Sequence, residues 1–262
     1  MFRFLLRPRW VIFSAVMAAL VIVMVNLALW QLHRHQERKD LNRTVAARLA
    51  LEAVPYDATL LPGSDPTLSS LRELEWRQVS VSGTYEPDAQ VLIRDRSLDG
   101  VPGFNVVTPM RLADGRFLVV QRGWVGATTE TAPAPPSGTV ELVGRLRVGQ
   151  RKKHSWENAD PAEGVLERLN RVDIARLDQQ TDGDAVPMYL EVVTSSPADD
   201  AVALIPLPER TSGPHLSYMV QWFVFSLAAI AGWCLVVRKA VRDRRKKEAR
   251  EAAASAAAAG AQ

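Results

Sequence analysis

The chain has 262 residues, 47% hydrophobic and 23% charged, with a net charge of +3, yet its mean hydropathy is only −0.05. That average hides two long apolar runs, which exclude a plain cytosolic enzyme, while a count of two excludes a many-helix transporter. One cysteine, Cys234, and four histidines leave no internal disulfide and no CxxC or CxxxC redox or copper site, and argue against a closed His/Cys zinc site.

Residues 1–9, with Arg3, Arg7 and Arg9, precede the first run, Trp10 to Leu32, 23 residues without Asp, Glu, Lys or Arg. A bilayer core takes roughly 20 apolar residues in a helix, so residues 10–32 read as a transmembrane helix. The run is longer than the roughly 7–15 residues of a signal-peptide core and no A-x-A-like site follows it, which favours an uncleaved anchor. Residues 34–52 contain no Gly or Pro and continue the helix outward, and the Pro/Gly/Ser/Asp-rich stretch 55–70 reads as a linker.

Strand patterns come next. Residues 76–85 alternate Val79, Val81 and Tyr85 on one face, and residues 90–96 repeat the pattern with Val91 and Ile93. Residues 104–112 and 116–125 flank Asp114-Gly115, a dipeptide that tolerates positive φ and so suits a hairpin turn. Residues 140–148 alternate again, residues 171–180 read as one short helix, and residues 188–193 as a last strand. Closely spaced strands with few helices imply an α+β domain built on a mainly antiparallel sheet or a small barrel, spanning residues 33–214. The second apolar run, Leu216 to Val237, is 22 residues long and places a second transmembrane helix over 215–237. Residues 238–262 are a basic tail that ends rich in alanine.

Charge sets the orientation. Residues 33–215 carry 21 Lys+Arg against 26 Asp+Glu, whereas the tail carries eight cations, Arg238 to Arg250, against Asp243, Glu248 and Glu251. Positive flanks stay cytoplasmic, so both termini are expected inside and the acidic domain outside a cell membrane. Trp10 and Trp233 then fall at the inner face and Trp30 at the outer, as an aromatic belt requires. The tail is read as a topology signal attracted to anionic membrane lipid rather than as a nucleic-acid binder.

The outer domain offers little chemistry. It has no HExxH, GxSxG, P-loop or GxGxxG, and its acidic residues show no acid/base spacing. His154, in RKKHSW, reads as a solvated loop residue, and Arg122-Gly123-Trp124 as an arginine stacked near a tryptophan that packs the sheet. The outer membrane face is richer. The first helix exits at His33 and His35 and the second enters at His215, so a hairpin brings three histidines to one depth. Asn26, Trp30 and His33 form one helical stripe, and His215, Tyr218, Met219 and Trp222 another. Facing stripes would place imidazole at the rim of an aromatic-walled pocket, where a neutral histidine can ligate haem iron and Arg34 or Arg38 can meet a propionate. The alternative is that these side chains simply occupy the polar interface.

Several blocks resemble one family. WQLHR at 30–34, with Arg38 and Leu41 beyond it, resembles the first-span signature of the surfeit-locus protein 1 family, membrane-bound assembly factors of cytochrome c oxidase whose yeast members are the Shy proteins. Trp76 with Val79, Val81, Gly83 and Tyr85 resembles the first strand block of that family; Arg94, Arg96 and Gly103 through Val106-Val107-Thr108-Pro109 resemble the next. Val120 to Val125 resembles its RGW block, Gly144-Arg145-Leu146-Arg147 its "G.lR", and His215-Leu216-Ser217-Tyr218 with Trp222-Phe223 the opening of its second span. Departures are Ala28 for a glycine, Gln121 for asparagine, Gly126 for proline, and Pro214 for a polar residue.

The resemblance implies a non-enzymatic factor that assists maturation of oxidase subunit I alongside other oxidase assembly factors. It further implies transient handling of haem a through His215, with His33 a candidate second ligand and Tyr218, Trp222 and Trp30 as pocket walls. Arg122, Gly123 and Trp124, with Gly103, Pro109 and Gly83, become candidate interaction or scaffold positions. Two other readings stay open: a scaffold for oxidase subunits that binds no haem, and, more remotely, an extracytoplasmic enzyme.

Overall fold

The structure is a computed structural model and describes residues 6–57, 66–152, 157–208 and 211–259. His154 and linker residues 58–65 lie outside the described residues. In chain order the first elements are α1 (Pro8–Leu49), β1 (Val54–Pro55), α2 (Leu68–Leu74), β2 (Gln78–Tyr85), a 3-10 turn (Pro87–Ala89), β3 (Val91–Leu98), β4 (Val101–Leu112) and β5 (Phe117–Gly126). There follow β6 (Thr139–Val148), β7 (Arg168–Leu169), α3 (Ile174–Asp178), β8 (Ala185–Ser196) and α4 (His215–Ala259). Contacts divide these into two units: residues 6–43 with 211–259, and residues 44–208.

The first unit is a helix pair. Both α1 and α4 are long and apolar enough to cross a membrane. Each runs without a break well past its apolar stretch, because residues 34–49 and 238–259 contain no Gly or Pro. On α1 the side chains withdrawn from the surface recur at Ser14, Met17, Val21, Met24, Ala28, Gln31 and His35; on α4 they recur at His215, Met219, Trp222, Ser226, Ala229 and Trp233. The alternating steps of four and three are the seam of two helices packed along their length. Ala28 is completely buried, and a small side chain there lets the helix backbones approach. Two side-chain hydrogen bonds mark the ends of the seam: Trp233 Nε1 donates to Ser14 Oγ at 3.2 Å, and Gln31 meets His215 at 2.8 Å. They are separated by 17 residues of α1, about 26 Å of helix, close to the thickness of a hydrocarbon core. The pairing order, 14 with 233 and 31 with 215, makes the helices antiparallel.

The second unit is an eight-stranded sheet in the order β1-β2-β6-β8-β5-β4-β3-β7. An additional pairing of β2 with β4, Gly83–Tyr85 against Met110–Leu112, joins β2, β6, β8, β5 and β4 into a closed circuit of ladders. The sheet is mainly antiparallel, as the sequence implies, and becomes mixed at three pairings: β1 with β2, β3 with β7, and β5 with β8. The last of these is possible because some 36 residues, including β7 and α3, separate β6 from β8 and allow the chain to re-enter in the parallel sense. Period-two alternation explains the core. Val79, Val81, Leu118, Val120, Leu142, Met188 and Leu190 point one way into a single cluster. Val119 and Tyr189 point the other way and pack under Leu169, Val172 and Leu177.

Two turns use the chemistry expected of Asp-Gly. Gly115 has φ +85° at the β4–β5 hairpin, and Asp99-Gly100, both at positive φ, joins β3 to β4 in a two-residue turn. The stretch 55–70 is not wholly a linker: Thr67 Oγ1 accepts from Ser70 N and starts α2. Pro109 sits inside a strand for a topological reason. The free edge of β4 is covered by β3 up to Val107 and by β2 from Met110, so the missing N–H of Pro109 falls in the gap, where its carbonyl accepts from Glu86 N.

Candidate functional site

The helix seam ends in a small polar group. His215 opens α4 and is partly withdrawn, its Nδ1 2.8 Å from Gln31 Oε1. With the amide oxygen facing it, Nδ1 carries a proton and donates, which in a neutral ring leaves the lone pair on Nε2. Gly213, at φ +68°, borders that side of the ring: a Cβ there would stand 3.3 Å from Nε2 and 3.2 Å from Cδ2. Glycine thus keeps the approach to Nε2 open while supplying the left-handed turn before α4. His35 lies one helical turn beyond Gln31 on the same stripe, and its Nδ1 is buried with no hydrogen-bond partner.

These residues are not all those the sequence singled out. Asn26, Trp30 and His33 do not face the seam. Trp30 is 54% exposed, His33 is exposed, and Asn26 Nδ2 donates back to Ile22 O of its own helix. The stripe one position round the helix, Met24-Ala28-Gln31-His35, is the buried one, because Ala28 admits a close neighbour where Trp30 does not. On α4, His215, Met219 and Trp222 lie on the seam, while Tyr218 is 48% exposed. Trp222 stacks edge-to-face on Phe225 with centroids 6.1 Å apart. Arg34 is bound to Glu37 at 2.9 Å on the helix surface.

Among the described residues no group of three or more His, Cys, Asp or Glu could hold a metal ion. A porphyrin iron is less demanding, since the ring supplies four nitrogens and the protein adds only one or two axial donors. A histidine fixed at Nδ1, open at Nε2, and a second buried imidazole nitrogen without a partner fit such a group.

The Arg122-Gly123-Trp124 block is a separate feature of the sheet unit. Between β4 and β5 the register runs Val106 opposite Gly123 and Val107 opposite Gln121, so Arg122 is the extra residue of a β-bulge. Its side chain is fully buried. Nε and Nη2 donate to the two Asp199 oxygens at 2.7 and 3.0 Å, Nη1 to Pro133 O at 2.7 Å, and Nη2 to Ala134 O at 3.1 Å. The last proton points at Gln90 Oε1 and Thr108 Oγ1, each 3.5 Å away, and the Tyr85 ring lies 5.7 Å below. All five protons are engaged, so Arg122 clamps two loops and has none left for a ligand. Burial pushes the Tyr85 phenol up, with Arg122 opposing and Asp199 adding to the effect.

Trp124 covers Gly103, where a Cβ would lie 2.5 Å from the indole and 2.1 Å from Val125 O. Gly123 admits residues 202–203, which pair with β5 at Trp124, and Gly83 admits Met110 and Arg111 of β4. The block is a packing device in a fold with a second buried polar cluster. There Glu191 meets Arg145 at 2.6 Å and Arg147 at 3.2 Å, and Arg147 stacks 3.7 Å over Trp76, itself held at φ +72°.

Comparison with known proteins gives one family throughout. The sequence model of the SURF1 family matches residues 18–227, which takes in the sheet unit and most of both apolar stretches. An uncharacterised SURF1-like protein of Mycobacterium tuberculosis is 30% identical over 252 residues, covering 94% of this chain and 90% of that one. A SURF1-like protein of Drosophila melanogaster is 30% identical over 231 residues, 79% of this chain and 72% of its own. Surfeit locus protein 1 of Xenopus tropicalis is 24% identical over 229 residues, 80% of this chain and 70% of its own.

Proposed function

The chain belongs to the SURF1 family, a family of oxidase assembly factors rather than enzymes, and from that premise we propose that it serves cytochrome c oxidase maturation by holding haem a for subunit I. The observation that supports this reading is the state of His215: Nδ1 engaged by Gln31 at 2.8 Å, Nε2 left with an open approach beside Gly213. Bound haem would bring the redox-active iron. The chain contributes a neutral imidazole aimed by a hydrogen bond, at the end of a helix pair where hydrocarbon gives way to the interface. His35, on the same stripe as Gln31 with its Nδ1 buried and without a hydrogen-bond partner, is a second candidate ligand beside His33. The basic tail keeps both termini cytoplasmic, which puts His215 and the sheet domain on the outer side of the plasma membrane, where subunit I and other assembly factors would meet them.

The test is a visible spectrum of the full-length protein purified in detergent from cells that make haem a, beside His215→Ala. Haem absorption in the wild type and its loss in the variant are the expected result. An unchanged haem spectrum in the variant removes His215 as ligand. A haem-free wild type that still co-purifies with subunit I replaces the haem reading with that of a protein-only scaffold.

A further inference from the structure

We propose that Gln31 is the positioning residue that sets how firmly His215 holds iron, and that a neutral amide at this place makes the hold releasable. The inference rests on the haem reading above. A histidine that binds metal through Nε2 points Nδ1–H at an acceptor, and that acceptor fixes the tautomer, orients the ring and tunes the donor strength. A carboxylate draws the proton toward itself and makes the imidazole a stronger donor. A neutral carbonyl fixes orientation and tautomer without that added strength. Residues that hold a permanent group gain from the first arrangement, and residues that must give their cargo up gain from the second.

Gln31 is placed to aim a releasable ligand. It lies on the seam between fully buried Ala28 and half-buried His35, so helix packing holds its side chain in place, and its Oε1 is 2.8 Å from His215 Nδ1. The first acidic side chains along α1 are engaged elsewhere: Glu37 with Arg34 at 2.9 Å and Asp40 with Arg43 at 3.0 Å. Among the described residues, no carboxylate forms a hydrogen bond or ion pair with His215, whose side-chain partner is Gln31. The space in front of Nε2 depends on Gly213 and not on Gln31, so donor strength and access are set by different residues.

The experiment uses the detergent-solubilised full chain with haem a as probe and compares Gln31→Glu and Gln31→Leu at pH 8. Two quantities are read: the midpoint potential of the bound haem, and the rate at which haem passes to excess apoglobin. Gln31→Glu lowers the potential and slows release about tenfold or more, while Gln31→Leu weakens haem affinity about 10–100-fold and speeds release. Opposite signs mark a positioning role, since a residue that only packs the seam is disturbed the same way by both changes. Variants that move together, or do not move, overturn the inference. If the wild type holds haem and His215→Ala loses it, that failure leaves the haem reading standing. If the wild type holds none, both fall.

Discussion

Arg122→Met tests how much of the sheet unit hangs on one buried cation. The side chain is 0% exposed and that of Asp199 9%, so the substitution leaves a nearly buried carboxylate without its counter-charge. Breaking one side of such a pair costs about 3–5 kcal/mol. The carbonyls of Pro133 and Ala134 also lose their donor, but water can reach a loop that has come loose, so the pair dominates. Set against a total stability of about 5–15 kcal/mol, this is about a fifth of the fold or more. For a domain of this size it corresponds to a fall in Tm of about 6–20 °C. The assay is thermal unfolding of the full chain in detergent, followed by near-ultraviolet circular dichroism, for Arg122→Met, Asp199→Asn and the pair together. Removing both charges leaves none unpaired, so the double variant loses less than the sum of the single losses. Arg122→Lys recovers little, because an ammonium cannot bridge a carboxylate and two carbonyls in one plane. A Tm for Arg122→Met within about 2 °C of wild type, well inside the expected shift, would refute the clamp.

Two further outcomes follow from the sheet unit. Gly103→Ala forces a Cβ to 2.1 Å from Val125 O, and because that neighbour is backbone of the adjoining strand, the loss reaches the upper part of the usual overpacking range of about 1–3 kcal/mol; an unchanged urea midpoint would contradict it. Tyr85 and Tyr189 have phenols raised by burial, so the folded state keeps protons that the unfolded chain releases near its ordinary value of about 10. Their stability is whole below that pH and is lost as pH rises through and beyond it. Tyr85→Phe therefore flattens the decline of Tm between pH 8 and 11, and an identical slope in both proteins speaks against this account.

Much of the fold is legible in the residues. The two apolar runs appear as α1 and α4, the alternation around Val79, Val91, Thr108, Val120 and Leu142 appears as β2 to β6, and Asp114-Gly115 forms its turn. These features are local: hydropathy over a span and period-two patterning depend on neighbours a few residues away. The start of α2 at Leu68 is less visible, since Thr67 caps a helix of only seven residues inside a stretch whose composition suggests a loop. The RGW block is visible in the residues only as a motif; its form, an arginine on a bulge reaching across 77 residues to Asp199 and lying over Tyr85, depends on strands remote in sequence.

The candidate site divides the same way. That His215 and the WQLHR segment come to one level follows from two spans joined in a hairpin, and the amino-acid order by itself determines it. Which face of α1 turns inward does not follow. Asn26-Trp30-His33 and Met24-Ala28-Gln31-His35 have the same four-and-three spacing, so periodicity cannot choose between them. The choice belongs to packing: the helices close where Ala28 leaves room, and that rotation carries Trp30 and His33 outward and Gln31 onto His215. The apolar lengths determined that there would be a helix pair. Only the tertiary structure decided that a glutamine stands behind the histidine, because a side chain one-third of a turn away is invisible to hydropathy and decisive for contact.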